Sequence, residues 1–385
     1  MSIASQDALI SALTLGNAGV FDNSKLTAPA HTAGGWHLLS GLAGYPSATT
    51  FPAAADLVFQ GCTDVGGDAA SATIFGMQHG GNVESGAITK HLKTASALIV
   101  GAAGAPWQLK LVDVEGYYRL ATTNVTGVAS RVLINTNTFT ANAGTDVITY
   151  TNDFSPYQKV RFTTTTTLPA GLSLATDYYL VRQSTTTAKV ATSLANAIAN
   201  TTIDITDAGT GTHTLTCVRR NPAGCEAFFV AQTQPTAGGP NLTASSYTNS
   251  AGTAGRAFQG TPSMGATADA YATRVLHSGN AVGRYGPFLP RQAGDAGVGS
   301  VESFTWSGGT AYTGTGVVAL VIAKPIDDVN IIVPASGALS AADFVNQFPA
   351  LPRIRDGACL AWMLFGTGAT TTASPITTTI GTVWG

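Results

Sequence analysis

Short alternating runs of apolar and polar residues, punctuated by Gly, Pro and Asn, make up most of this chain. Such runs predict strands, because successive strand side chains point to opposite faces. Trp107 to Leu120 places Trp107, Leu109, Leu111 and Asp113 on one face and Gln108, Lys110, Val112 and Val114 on the other, so both faces are expected to be partly covered. Cys225 to Thr233 and Val301 to Ser307 are two further expected strands. Gly316 to Ile326 is a continuous Val/Ile-rich run, which predicts a central strand buried on both faces and closed by Pro325. Ala358 to Gly366 is equally apolar, and its periodicity leaves strand and short buried helix both open.

Helical spacing shows in two places. The first begins near Ser5, a natural cap, carries Leu9, Ile10 and Leu13 at helical intervals and ends by Gly16. The second begins at Ser340, where Asp343 completes a capping-box pattern and Phe344, Val345 and Phe348 share a face before Pro349. About one residue in seven is threonine, and the Leu, Glu, Lys and Arg runs that sustain helices are nearly missing. The expected class is therefore mainly β: a β-sandwich or jelly-roll-like core with an N-terminal arm bearing a short helix. Residues 1–52 form that arm, helical to Gly16 and then irregular to about Pro52, placed to lie on a neighbouring subunit.

Between about residues 136 and 216 the composition shifts. Five consecutive threonines, Thr163 to Thr167, precede the phrase LPAGLSLATDYYLV, and the stretch ends in DITDAGTGTHTLT. Val160 and Phe162 open one strand, Leu168 to Gly171 turns, and Tyr178 to Val181 makes the next. ATSLANAIANTTIDI supplies a helical or turn segment and then a strand, and DAGTGTH turns into the last. This reads as a small β-sandwich inserted in a loop of a larger domain, whose two parts are 53–135 and 217–385. The phrases LPAGLSLATDYYLV and DITDAGTGTHTL resemble an immunoglobulin-like β-domain found inside many structural proteins of tailed bacteriophages. That resemblance covers about a fifth of the chain. It implies a virion protein, in capsid, tail or fibre. The segments GRYGPFLPRQAGDAGV and LPRIRDGACLAWMLFG more loosely resemble phage virion proteins in general.

Charge narrows the functional classes. Only 10% of residues are charged, with 19 Lys and Arg against 21 Asp and Glu, a net charge of −2. Globular chains average about 25%. Nucleic-acid binding through phosphate neutralisation needs clustered Lys and Arg, so no nucleic-acid partner is expected. The first residues lack the basic start of a secretory signal, and no apolar run reaches the roughly 18 residues that span a bilayer. Synthesis in a cytosol and no membrane partner are the expectations. Cys62, Cys217, Cys225 and Cys359 show no C-x-x-C spacing and are expected to be buried free thiols.

Catalytic motifs are not found: no G-x-S-x-G elbow, no H-E-x-x-H, no Walker loop. His31 and His37 lie near Trp36, with Asp22 and Asp56 as conceivable co-ligands, but no ligand spacing supports a metal. No metal, cofactor or catalytic residue is therefore assigned. Glycan cleavage would need paired carboxylates; the glutamates are Glu84, Glu115, Glu226 and Glu302, and the sequence-adjacent pairs Asp64/Asp68 and Asp327/Asp328 read as turn residues. Arg284, Arg291, Arg353 and Arg355 stand in Pro/Gly-rich segments, where either inter-subunit ion pairs or intrachain pairs with Asp295, Asp327 or Asp356 are open. With Leu9 and Leu13 of the arm they are the candidate inter-subunit contacts.

A low-charge exterior of Thr, Ser, Gly, Asn and Ala suits a subunit that buries its surface in an assembly. The expected function is a non-enzymatic structural protein of a tailed-phage virion. Foremost is a trimeric capsid decoration (cement) protein bound to the major capsid protein. A tail, collar or fibre component is the alternative within the virion. The alternative outside it is a host-glycan binding or cleaving protein, with Trp36, Tyr45, Tyr247 and Tyr312 as sugar-stacking candidates.

Overall fold

The computed structural model describes residues 6–16, 18–28, 36–39, 44–45, 56–57, 89–99, 107–123, 129–132, 136–151, 158–184, 186–218, 223–233, 241–260, 274–276, 286–307, 315–331, 338–343, 351–354, 358, 360–366 and 374–385. The chain is mainly β. Helix α1 (Gln6–Thr14) is followed by β1 (Ala18–Ala28), β2 (Trp36–Leu38), β3 (Gly44–Tyr45), β4 (Asp56–Leu57), β5 (Lys90–Ile99), β6 (Trp107–Thr123) and β7 (Ala129–Val132). Then come β8 (Thr136–Asn142), β9 (Val147–Tyr150), β10 (Lys159–Thr164), β11 (Asp177–Arg182), β12 (Thr187–Ala191), helix α2 (Leu194–Ile198) and β13 (His213–Cys217). The remainder is β14 (Glu226–Thr233), β15 (Asn241–Asn249), β16 (Arg274–Leu276), β17 (Val298–Ser307), β18 (Thr315–Ile331), β19 (Ala338–Asp343), β20 (Leu360–Gly366) and β21 (Ser374–Trp384).

The central sheet runs β18-β14-β16-β2-β20-β6, and β6 pairs back onto β18, closing a ring of six strands with β4 beside β6. Its interior is filled by one side chain set from each strand, among them Trp36, Val112, Phe228, Val275, Val321 and Met363, all nearly or fully sealed from solvent. The alternate residues point outward. Leu109 and Leu111 of β6, Val329 of β18 and Trp362 of β20 meet a second, five-stranded sheet ordered β19-β5-β21-β1-β3. Leu92, Ala95, Ile376, Ile380 and Val383 supply its side of this interlayer, and α1 adds Leu9 and Ala12. A three-stranded sheet, β15-β17-β7, covers another part of the ring through Phe304 against Phe229, edge to face at 5.2 Å. Both faces of β6 and β18 are thus covered, which explains their near-continuous apolar runs.

Among the described residues, the six strands from β8 to β13 pair only among themselves, in the order β10-β11-β12-β9-β8-β13, and close into a smaller barrel. The expected two-sheet sandwich here takes the form of a sheet joined at both edges, which leaves no open edge strand. Phe139, Ile148, Val160, Phe162, Leu180, Val190 and Leu215 fill it. The turn before β13 requires glycine: Gly209 has φ +68°, and a Cβ there would come within 2.6 Å of Pro169 N and Thr167 O. Helix α2, capped by Ser193 accepting from Asn196 N at 3.1 Å, lies on the outside over Val181 and Ala191.

Three expectations change. Ser340 to Asp343 is not the start of a helix but the end of β19, paired residue by residue with Thr94 to Ala97 of β5; Phe344, Val345 and Phe348 lie outside the described residues. Sheet pairing outweighs a weak local cap. Pro325 does not close its strand. β18 continues to Ile331 because the register jumps between Pro325 and Asp327, and at such a bulge the missing N–H costs nothing. Residues 18–28 are not irregular: they form β1, zipped antiparallel to β21 from Ala18 opposite Val383 to Ala28 opposite Ser374. The apolar run Leu360–Gly366, left open between helix and strand, is a strand.

Candidate functional site

Where the central ring faces the five-stranded sheet, the apolar interlayer gives way to charge. Asp113 continues the outward face of Leu109 and Leu111 on β6. Lys324 stands opposite Asp113 on β18. Just beyond, the ladder jumps from Val114 opposite Ala323 to Gly116 opposite Ile322, leaving Glu115 as the extra residue of a bulge. Bulges re-aim side chains and gather beside functional sites. Both bulges of this ladder, at Glu115 and at Ile326, border one cavity of about 200 Å³, which Asp113, Lys324, Pro352 and Arg353 complete. Asp113 and Glu115 are sealed at 5% and 0% exposure, whereas Lys324 is half-buried and Arg353 exposed, so carboxylates lie inside and cations at the rim.

The strip carrying Pro352 and Arg353 is fixed by β5. Leu92 N donates to Pro352 O at 2.8 Å, Ile354 N donates to Lys90 O at 3.0 Å, and His91 pairs with Arg353. The His91 ring lies within hydrogen-bond reach of Thr89 Oγ1 at 3.0 Å and Leu351 O at 3.3 Å. On the far side of the Ile326 bulge, burial pushes the Asp327 carboxyl up, against a hydrogen bond from the Asp328 backbone that pulls it down. Asp328 itself grips Lys110 through both carboxylate oxygens, at 2.6 and 2.7 Å.

A second polar knot is structural. Asp295 receives the Tyr247 hydroxyl, Asn249 Nδ2 at 2.7 Å and the Arg256 guanidinium at 3.0 Å, and these donors hold its carboxyl far below the usual range. Gln292 N donates to the Tyr247 hydroxyl at 2.9 Å, so the knot ties the 247–256 hairpin to the 292–295 turn.

The sequence-predicted contact residues that are described are taken up within this chain. Leu9 is fully buried in this chain's own interlayer and Leu13 packs against the same cluster. The exposed apolar side chains of that segment are Ile10, Leu15 and Val20. Arg291 pairs at 2.8 Å with Glu226, not with Asp295, which Arg256 already holds. Arg353 lines the cavity; Arg284 and Arg355 lie outside the described residues. Of the sugar-stacking candidates, Trp36 and Tyr247 are buried at 3% and 0% and offer no face to a glycan, while the side chains of Tyr45 and Tyr312 lie outside the described set. Cys225 is buried and forms no disulfide. The barrel histidine His213 lies between Thr164 Oγ1 at 2.9 Å and Ala208 O at 3.1 Å. Among the described residues, no group of three or more His, Cys, Asp or Glu could hold a metal ion.

Sequence reasoning passed over Asp113 as part of a strand face and Glu115 as one glutamate of four. The signal that marks them is the DVE spacing inside an apolar strand, where two carboxylates enter a covered face.

This chain matches no family model and no curated protein. Among solved structures it aligns with one titled "Structure of infectious bursal disease virus Gx strain", at 12% identity over 79% of this chain and 83% of that one. The TM-score is 0.09, too low to carry an argument about either fold or function.

Proposed function

We propose that this chain is a non-enzymatic structural protein of a tailed-phage virion, foremost a trimeric decoration protein seated on the major capsid protein. The observation that carries the reading is the distribution of exposed apolar side chains. Among the described residues, the four large ones are Ile10, Leu15, Val20 and Leu174, and three of them crowd into the first twenty residues. On a surface with so few charges, that segment is the natural contact element, in place of Leu9 and Leu13. The resemblance of the small barrel to an inserted phage domain supports the same reading. The charged groups of the body favour a scaffold, since Arg256, Arg291 and Lys110 are engaged within the chain.

Function would then be energetic. Apolar surface buried across subunit junctions contributes about 25 cal/mol per Å², and a stable contact needs on the order of 1,000 Å² or more. The test is the copy number of this chain per purified particle, by quantitative mass spectrometry against the major capsid protein. A simple fraction set by shell symmetry supports decoration. A few copies move the protein to tail, collar or fibre, and absence from the particle overturns the virion reading.

A further inference from the structure

The lysine, aspartate and glutamate residues sealed whole inside the described structure are three: Lys90, Asp113 and Glu115. They are not scattered. Lys90 shares its strand face with Leu92, which packs in the same cluster as Leu109 and Leu111, and Asp113 extends the face of those leucines. The Lys90 end of β5 is the end at Asp113 and Glu115, because the strip hydrogen-bonded to Lys90 and Leu92 lines the cavity that the two carboxylates line. One buried amine and two buried carboxylates therefore enter one interlayer at one edge, from two different sheets. Sealing charges in such a layer is costly, and a reaction that removes two of them relieves that cost.

We propose that Lys90 and Asp113 are joined by an isopeptide bond that forms spontaneously on folding and staples the five-stranded sheet to the central ring. Glu115 relays the proton. It takes one proton from the Lys90 ammonium and passes it to the Asp113 carboxylate, giving a neutral amine beside a carboxylic acid. Lys90 Nζ then attacks Asp113 Cγ. Lys324 and Arg353, lining the same cavity, offer positive charge to the tetrahedral oxyanion. The Cγ–O bond breaks, the hydroxyl leaves as water with the second amine proton carried by Glu115, and the Glu115 carboxylate is regenerated. One N–C bond forms, one C–O bond breaks, one water leaves through the adjoining cavity, and nothing is oxidised or reduced. Holding the groups in a fixed layer supplies the proximity that an uncatalysed amide condensation lacks.

The experiment is the intact mass of the purified full-length chain, followed by tandem mass spectrometry of its protease digest. The expected result is a deficit of one water, about 18 Da, against the sequence mass. A branched peptide joining Lys90 to Asp113 accompanies it. Glu115→Gln and Lys90→Arg are each expected to restore the full mass. A folded wild-type chain at its full sequence mass overturns the proposal, and so does a branch at Glu115 instead of Asp113. The wild-type measurement decides the matter even where a variant fails to fold.

Discussion

Leu9 and Ile10 are neighbours in sequence that the fold sends in opposite directions, and substituting each by alanine separates core from contact surface. Leu9 is fully buried in the interlayer between the two large sheets, and Ile10 is 55% exposed. Truncating a buried leucine removes its transfer free energy and leaves a cavity, costing about 2–5 kcal/mol. In a body of about 300 residues that lowers the melting midpoint by roughly 3–8 °C. Ile10→Ala trims a largely exposed side chain, and surface changes of this kind stay within about 0.5 kcal/mol. Urea titration followed by tryptophan fluorescence reads the difference, since Trp107 and Trp362 lie in the cluster that holds Leu9. Particle rebinding supplies the converse, with Ile10→Ala expected to weaken association while leaving the urea midpoint unchanged. Equal midpoint shifts for the two variants, or a larger one for Ile10, would refute the placement of α1.

Asp327→Asn tests a half-buried acid. Because burial raises its carboxyl, the folded state favours the neutral form, so this group's contribution is fully present below about pH 4 and lost as pH rises through the raised value. The asparagine variant is expected to melt higher than wild type at pH 7 and level with it at low pH; a lower melting point at pH 7 refutes the assignment. Tyr247→Phe strips the acceptor from Gln292 N, and the unpaired amide is expected to cost about 1 kcal/mol, read as a lowered urea midpoint. In the small barrel, Gly209→Ala meets backbone at 2.6 Å and should open the barrel to limited proteolysis. Gly252→Ala, also at positive φ but with nothing within 4 Å, should cost only about 1 kcal/mol of backbone strain.

Much of the β architecture is legible because its strands obey period two. Trp107 to Val114 alternates between two interiors, Leu109 and Leu111 toward the outer sheet and Val112 and Val114 into the ring. The helix at Gln6–Thr14 is equally legible, from its spacing and from Gly16, whose φ of +73° suits the residue after a helix end. What escaped is decided between segments distant in sequence. Capping chemistry at Ser340 and Asp343 is local, whereas the pairing of that segment with Ala95 and Ala97 spans some 250 residues. Ring closure depends on β6 meeting both β18 and β20, which no window of sequence contains. The charged cavity was hidden for the same reason: Asp113 and Lys324 become partners only once register is set, and Glu115 enters because of a bulge.

The pairing of β1 with β21 sets an order of events during synthesis. Strand β1 is complete once residue 28 is made, but its partner begins at Ser374, about 350 residues later. At roughly 5–20 residues per second, that interval is on the order of tens of seconds. The small barrel, whose strands lie between Thr136 and Cys217 and need no others, can close while the ribosome is still working. The outer sheet must wait for β21, leaving α1 and the long edge of β1 uncovered until then and open to chaperones or to other nascent chains. A ribosome stalled before codon 374 would therefore carry a finished barrel and an unfinished body.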